Sequence, residues 1–162
     1  METKEIFAAL FERFDGALEA SPDGLAGDPF VYVAPDRFHE VMAHLKSHAR
    51  MAMDQLTMIT GVDREAWVES VYHLYSYRHR HAATIKVKLD PAAPEIDTVT
   101  DLWGAADWHE REAYDMVGIR YRGHPNLRRI LLPEDWEGHP LRKSYKQPRE
   151  YHGIQNEWQP EE

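Results

Sequence analysis

Trp108-His109-Glu110-Arg111-Glu112-Ala113-Tyr114-Asp115 packs more reactive side-chain types together than any other stretch of the chain. On a helix, His109 and Glu112 stand at i and i+3, the spacing of a carboxylate–histidine metal pair. Glu112 and Asp115 repeat that spacing as two carboxylates. No second half-site follows, so a metal centre competes poorly with a helical account. In that account Asp107 caps the helix with Glu110 reaching back, Arg111 pairs with Asp115 at i, i+4, and Trp108 and Tyr114 flank the core. A second stretch, Arg78-His79-Arg80-His81, offers imidazole and guanidinium to a metal or phosphate. Its spacing matches no zinc motif and carboxylates are absent nearby, so it reads as a solvated hairpin loop. A third, His124 to Pro133, sets Arg128 and Arg129 beside an apolar run. Paired guanidinium groups bind carboxylates bidentately, here on the chain's own acidic body or on a partner.

Other chemistries have no visible kit. Cysteine is absent, which removes disulfides, thiolate metal sites and cysteine nucleophiles. Neither a G-x-G-x-x-G loop nor a P-loop occurs, and no serine sits in a nucleophile elbow. The N-terminal residues are charged with no signal-type apolar stretch after them, and no apolar run approaches the roughly 18–20 residues of a membrane span. The net charge of -9 argues against a polyanionic partner. That average hides a polarity. Residues 1–101 hold ten basic and seventeen acidic side chains, whereas residues 119–149 hold eight basic and three acidic. An acidic body is thus followed by a basic strip.

Elements able to position these groups follow from periodicity. The 162 residues suffice for one domain with a sizeable core. Ile6, Phe7, Leu10, Phe11, Phe14 and Leu18 mark an amphipathic helix with Thr3 as N-cap, closed by breakers at Ser21-Pro22-Asp23-Gly24. Phe30–Val33 is a short strand; Phe38, Val41, Met42 and Leu45 mark a second helix. Gln55–Thr60 reads as a strand ended by Gly61. Trp67–Tyr77 and Ala83–Leu89 read as a hairpin with alternating faces. A helical stretch follows, with capping-box-like spacing at Thr98–Asp101 and a fuller box at Asp107–Glu110, running to Val117 with Gly118 at C′. Beyond Ile119 prolines punctuate an extended segment in which Trp136, Tyr145, Tyr151 and Trp158 argue for order. The expected fold is α+β: an antiparallel or mixed sheet of about four strands, helices packed on one face, and an extended C-terminal arm. The division is a body over 1–118 and a basic docking arm with an acidic tail over 119–162, within one structural domain. On the residues alone, a binding module using its basic arm is one reading.

The run from Ala106 to Tyr145 resembles a known family. It carries Ala-Asp-Trp at 106–108, Glu110-Arg111-Glu112-x-x-Asp115, Gly118-Ile119, His124-Pro125, Leu127-x-Arg129-Ile130-Leu131 and Pro140-Leu141-Arg142-Lys143. This is similar to the 30 kDa subunit family, the C-type subunit of the proton-pumping NADH:quinone oxidoreductase, respiratory complex I. The resemblance implies a scaffold subunit of the peripheral arm, on the cytoplasmic side of the bacterial inner membrane, that clasps the D-type, 49 kDa subunit near neighbouring cluster-bearing subunits. It implies no catalytic, cofactor or metal residue in this chain, with FMN, iron–sulfur clusters and quinone held by partner subunits. The family motif falls on Glu110, Arg111, Glu112, Asp115, His124, Pro125, Arg129, Pro140 and Arg142; Asp115 and Arg111 are expected to shape the helix end, and Arg128, Arg129, Arg142 and Lys143 to dock the partner. The same family supplies membrane-bound [NiFe] hydrogenases and formate-, F420- or ferredoxin-dependent complexes, which is the alternative reading.

Overall fold

A computed structural model describes residues 2–21 and 27–156. The breakers at 22–24 and Trp158 with the acidic tail lie outside the described residues. Helix α1 spans Thr3–Arg13 and buries Ile6, Phe7 and Leu10. Its N-cap is Glu2, not Thr3: the Glu5 carboxylate accepts the Glu2 N–H at 2.8 Å, while the Thr3 hydroxyl donates to the Ala82 carbonyl at 3.0 Å. The helix is shorter than its apolar pattern suggests. Phe14 is the C-cap, and Leu18 opens strand β1, Leu18–Ala20.

Strand β2 (Phe30–Val33), helix α2 (Phe38–Ser47) and strands β3 (Gln55–Asp63), β4 (Val68–Ser76) and β5 (His81–Leu89) complete the main sheet, in the order β1-β2-β5-β4-β3. The sheet has five strands rather than about four, the extra one being β1, paired antiparallel to β2. It is mixed, because β2 runs parallel to β5 while β5, β4 and β3 are antiparallel neighbours. Alternation along each strand sends Val31, Val33, Val68, Tyr72, Leu74, Ile85, Val87 and Leu89 to the helix side, where they form one core with Ile6, Leu10, Phe38, Val41, Met42 and Leu45. Each such side chain contributes about 1.5–3 kcal/mol relative to exposure, so α1 and α2 anchor the body without help from the arm. On the opposite face Glu69 is almost wholly enclosed, accepting from the Tyr32 hydroxyl at 2.7 Å and the Trp67 indole N–H at 3.1 Å. His81 is no solvated loop residue: it is buried in β5 with its Nε2 2.7 Å from the Met51 carbonyl oxygen.

Gly61 lies inside β3, which runs on to Asp63 instead of stopping there. A Cβ at Gly61 would stand 3.0 Å from Val117 Cγ2 and 3.1 Å from Ile119 Cδ1. The missing side chain is what lets the last helix settle on the sheet. That helix is α3, Ala106–Val117, reached through strand β6 (Glu95–Asp97) and followed by β7 (Arg120–Arg122), which pairs parallel to β6. Ile119 and Tyr121, beyond the helix end, still belong to the core. Farther along, β8 (Glu150–Tyr151) and β9 (Ile154–Gln155) make a small hairpin. Among the described residues no helix is long and apolar enough to cross a membrane.

Candidate docking site

Ala106, Ala113 and Val117 are buried along one stripe of α3, and Glu110 falls on that same stripe with Arg111 and Asp115 beside it. Helical geometry therefore drives three charged side chains inward, and each is met there. Asp115 is completely buried. Its Oδ2 accepts the backbone N–H groups of Ile130, Leu131 and Leu132 at 3.0, 2.7 and 2.9 Å, and its Oδ1 accepts from Arg129 Nη1 at 2.8 Å. Burial by itself raises the pKa of this carboxyl, but the three N–H groups and the Arg129 guanidinium outweigh it and hold the group below its ordinary 3.8.

Arg129 does more than neutralise Asp115. Its Nη2 donates to the carbonyls of Trp136 and Gly138, both at 2.9 Å, so one planar fork pins the helix end and the returning chain together. His139 Nδ1 donates to the Asp115 carbonyl at 2.9 Å and the Leu141 N–H to the Met116 carbonyl at 2.9 Å. These carbonyls are among the last four of a helix, which have no intrahelical partner. The segment after Gly123 thus serves as the C-terminal cap of α3. Gly118 makes the approach feasible, with φ +84 and His139 packed where a Cβ would be.

Two further ties hold the segment to the body. Asp63 accepts the Lys143 N–H at 3.0 Å, Lys143 Nζ reaches Glu65 at 2.8 Å, and Arg142 donates to the Pro91 carbonyl and lies 4.0 Å from Asp63. Within the segment, Asp135 accepts from the Tyr151 hydroxyl at 2.8 Å and lies 2.6 Å from His152 Nε2, and Trp136 donates to the Tyr145 hydroxyl at 3.1 Å.

Glu110 forms the other buried centre. It does not reach back as a capping residue, because the helix begins at Ala106 with Ala105 as N-cap. Instead its carboxylate accepts the Val99 N–H at 2.8 Å and meets the Thr98 hydroxyl at 2.5 Å, tying α3 to the end of β6. Arg111 does not pair with Asp115. It lies 4.0 Å from Asp107, donates to the Arg128 carbonyl at 3.3 Å, and covers the Trp108 ring at 4.9 Å. Trp108 itself is 63% exposed rather than flanking the core.

The motif residues thus divide. Glu110, Asp115, Arg129, Arg142 and Lys143 are engaged within the chain, and His124 and Arg111 are enclosed. Pro140 sits half-buried between His139 and Leu141, and Pro125 is exposed. Glu112 and Arg128 are exposed and meet no opposite charge among the described residues. Trp108, Glu112, Arg128 and Leu131 therefore form the outward side of α3 and the chain folded on it, with Arg111 linking Trp108 to Arg128. Thr98, Val99 and His139 complete the site; the first two read in the sequence only as part of a capping-box-like spacing, and His139 was not singled out. The recurrence of Ala106, Glu110, Ala113 and Val117 is the signal that a charged residue is placed inward. Among the described residues no three His, Asp or Glu side chains come together as a metal site, and His109 and Glu112 point to no common partner.

Four likenesses bear on this arrangement. The C-type subunit of NADH-quinone oxidoreductase from Roseiflexus sp. (strain RS-1) is 44% identical over 142 residues, covering 84% of this chain and 82% of the relative. A solved structure titled "Nqo5 of the trypsin-resistant fragment (1-134) in P63 form" superposes with a TM-score of 0.63 at 32% identity, over 75% of this chain and 98% of that one. A chain from the structure of the membrane-bound sulfane sulfur reductase, an archaeal respiratory membrane complex, shares the fold at a TM-score of 0.73 and 21% identity, over 98% of this chain and 95% of that one. The family model described as "Respiratory-chain NADH dehydrogenase, 30 Kd subunit" matches residues 31–151, from β2 through both buried carboxylates to the terminal hairpin. With three-quarters of its length so matched, the chain belongs to the family of the respiratory-chain NADH dehydrogenase 30 kDa subunit.

Proposed function

We propose that this chain is a non-catalytic scaffold subunit of NADH:quinone oxidoreductase, held in the peripheral arm on the cytoplasmic side of the bacterial inner membrane, where it clasps the 49 kDa-type subunit. Flavin, iron–sulfur clusters and quinone then reside on neighbouring subunits, and electron transfer from NADH to quinone with proton translocation belongs to the assembly. The observation that carries this reading is the Asp115 cradle, which holds residues 129–141 against α3 in one shape and leaves Trp108, Glu112, Arg128 and Leu131 facing outward. A preorganised surface costs less ordering entropy on association, and an exposed tryptophan beside an arginine has the composition of an interface hot spot.

The test is affinity capture of the tagged chain from native membranes, with the partners identified. The 49 kDa-type subunit and NADH-dependent quinone reduction are expected to co-purify with it. Trp108→Ala is expected to weaken the hold on that partner by about 2 kcal/mol of affinity, roughly thirtyfold, with the thermal melt of the isolated chain unchanged. Capture of hydrogenase or formate-oxidising subunits would move the chain to a homologous machine. A free monomer with no partner would leave only a stand-alone binding module.

A further inference from the structure

The outer face of the main sheet, turned away from the core and α3, is roofed at one end and bare at the other. At the β3–β4 end Glu69 is enclosed beneath Tyr32 and Trp67. Lys86 Nζ stands 3.7 Å from the Phe30 ring centre and Lys88 Nζ 4.1 Å from that of Tyr32, and the two ammonium groups meet Glu69 and Glu19. At the β4–β5 turn no such roof exists among the described residues. A groove of about 460 Å3 crosses β3, β4 and β5 there, lined by Thr57, Met58, His73, Tyr75, Ala82 and Thr84. Its small side chains let a visiting group come close to the strands. A polar contact on the floor joins Thr84 Oγ1 to His73 Nδ1 at 3.4 Å. Met58 is 42% exposed, and Tyr77, edge-on to Tyr75 at 5.3 Å, is 67% exposed.

At Thr3, Pro29 and Ala82 this groove runs into a second concavity, lined also by Lys4 of α1 and Arg80 of the turn. The shared residues make the two one continuous track, apolar along the strands and basic at the end. Lys4, Arg78 and Arg80 are exposed and meet no opposite charge among the described residues. The rest of the body is otherwise disposed: acids outnumber bases seventeen to ten over residues 1–101, and Arg37, Arg64, Lys86 and Lys88 are each paired. The turn that carries Arg78 and Arg80 is held in one shape. The Tyr77 N–H donates to Asp54 Oδ1 at 3.0 Å, the His79 N–H to Ser76 Oγ at 3.2 Å and the Arg80 N–H to the Ser76 carbonyl at 2.7 Å. Two acids border the track. The Glu2 carboxylate is engaged in capping α1, and Asp28 stands at the rim of the groove.

We propose that this track is a second docking surface, separate from the Trp108 face, and that its occupant is an acidic–apolar segment of another subunit of the assembly. An apolar side chain of that segment sits in the groove beside Met58 and Tyr75, and its Asp or Glu residues lie against Lys4 and Arg80. Charge complementarity selects this occupant: unpaired cations close one end of the track, while Asp28 at the rim disfavours a carboxylate inside the groove. The thioether of Met58 adapts to the shape it meets, and tyrosine offers a rigid ring of the kind that carries interface energy. The exposed cations orient the segment and speed its arrival, and the apolar groove retains it. The surface requires an assembly around the chain and is independent of which subunit the Trp108 face clasps.

The test is photo-crosslinking of the full chain in native membranes, with the adducts read by mass spectrometry. Tyr77→p-benzoylphenylalanine, an aromatic replacement at an exposed position, reports the track, and Trp108→p-benzoylphenylalanine reports the clasp separately. The Tyr77 probe is expected to capture a peptide of another subunit in which an apolar residue stands next to two or more Asp or Glu residues, at a site different from the one the Trp108 probe captures. Adding Lys4→Glu and Arg80→Glu should lower the yield of that adduct about tenfold, with the Trp108 adduct and the thermal melt of the isolated chain unchanged. Both substitutions are on the surface, and a glutamate in the first turn suits α1, so the fold is retained. An adduct to a second copy of this chain, to lipid or to a peptide without acids overturns the proposal. So does an unchanged yield in the charge-reversed chain, or a Tyr77 probe that captures nothing while the Trp108 probe captures its partner.

Discussion

Replacing Asp115 by alanine will release residues 129–141 from the end of α3 and cost about 3–5 kcal/mol, while the sheet stays folded. The cost is large because the partners remain behind: three backbone N–H groups and the Arg129 guanidinium, itself only 13% exposed, lose their acceptor together. The body keeps its own core, since α1 and α2 bury Ile6, Phe7, Leu10, Phe38, Val41, Met42 and Leu45 against the sheet. Limited trypsinolysis should show this directly. Cleavage after Arg128 and Arg129 should accelerate strongly in the variant, with far-UV circular dichroism almost unchanged. Equal cleavage rates in the two proteins would show that the cradle contributes little. The same stabilisation has an acid limit. A carboxyl whose folded pKa lies below its unfolded 3.8 contributes above that value and is lost as pH falls through the folded one. The segment should therefore come loose only below pH 3.8.

The second large effect is expected at Gly118, where alanine should cost about 2–3 kcal/mol. Its φ of +84 lies in the left-handed region, which penalises an L side chain by roughly 1–2 kcal/mol. The added Cβ would also stand 2.6 Å from His139 Cδ2 and 2.8 Å from Nε2. The ring must leave, and its Nδ1–H bond to the Asp115 carbonyl goes with it, at about 1 kcal/mol. Urea unfolding of Gly118→Ala, of His139→Ala and of the double variant separates the two contributions. In the double variant the clash is gone and only the backbone cost should add. A single Gly118→Ala variant as stable as wild type would contradict both.

Several elements were legible from the residues because their causes are local. The helices of α1 and α2 follow from apolar spacing, and the β4–β5 hairpin from alternation. Gly118 was readable as the C′ position, and its left-handed backbone bears that out. Other readings failed where the cause is distant. Gly61 reads as a strand end because glycine usually interrupts a strand, yet it is retained inside β3 for the close approach of Val117 and Ile119 from more than fifty residues away. Asp107-Trp108-His109-Glu110 reads as a capping box because the spacing is right, yet the helix starts earlier and buries Glu110 against Thr98 and Val99.

The candidate site shows the same boundary. The sequence by itself determined the family, through a dense run of motif residues from Ala106 to Tyr145, and it located the basic strip that follows the acidic body. It did not determine which charges meet. Arg111 was the nearest partner for Asp115 by helical spacing, but Arg129 takes that place from fourteen residues on, and Arg142 and Lys143 turn to Pro91, Asp63 and Glu65. A guanidinium or ammonium group pairs with whichever acceptor the fold brings within about 3 Å after desolvation, and that choice is made by the closure of long loops rather than by neighbours in the chain. The tertiary structure therefore decided that Arg129, Arg142 and Lys143 meet acceptors within the chain, while Arg128, Lys146 and Arg149 stay exposed with no opposite charge among the described residues.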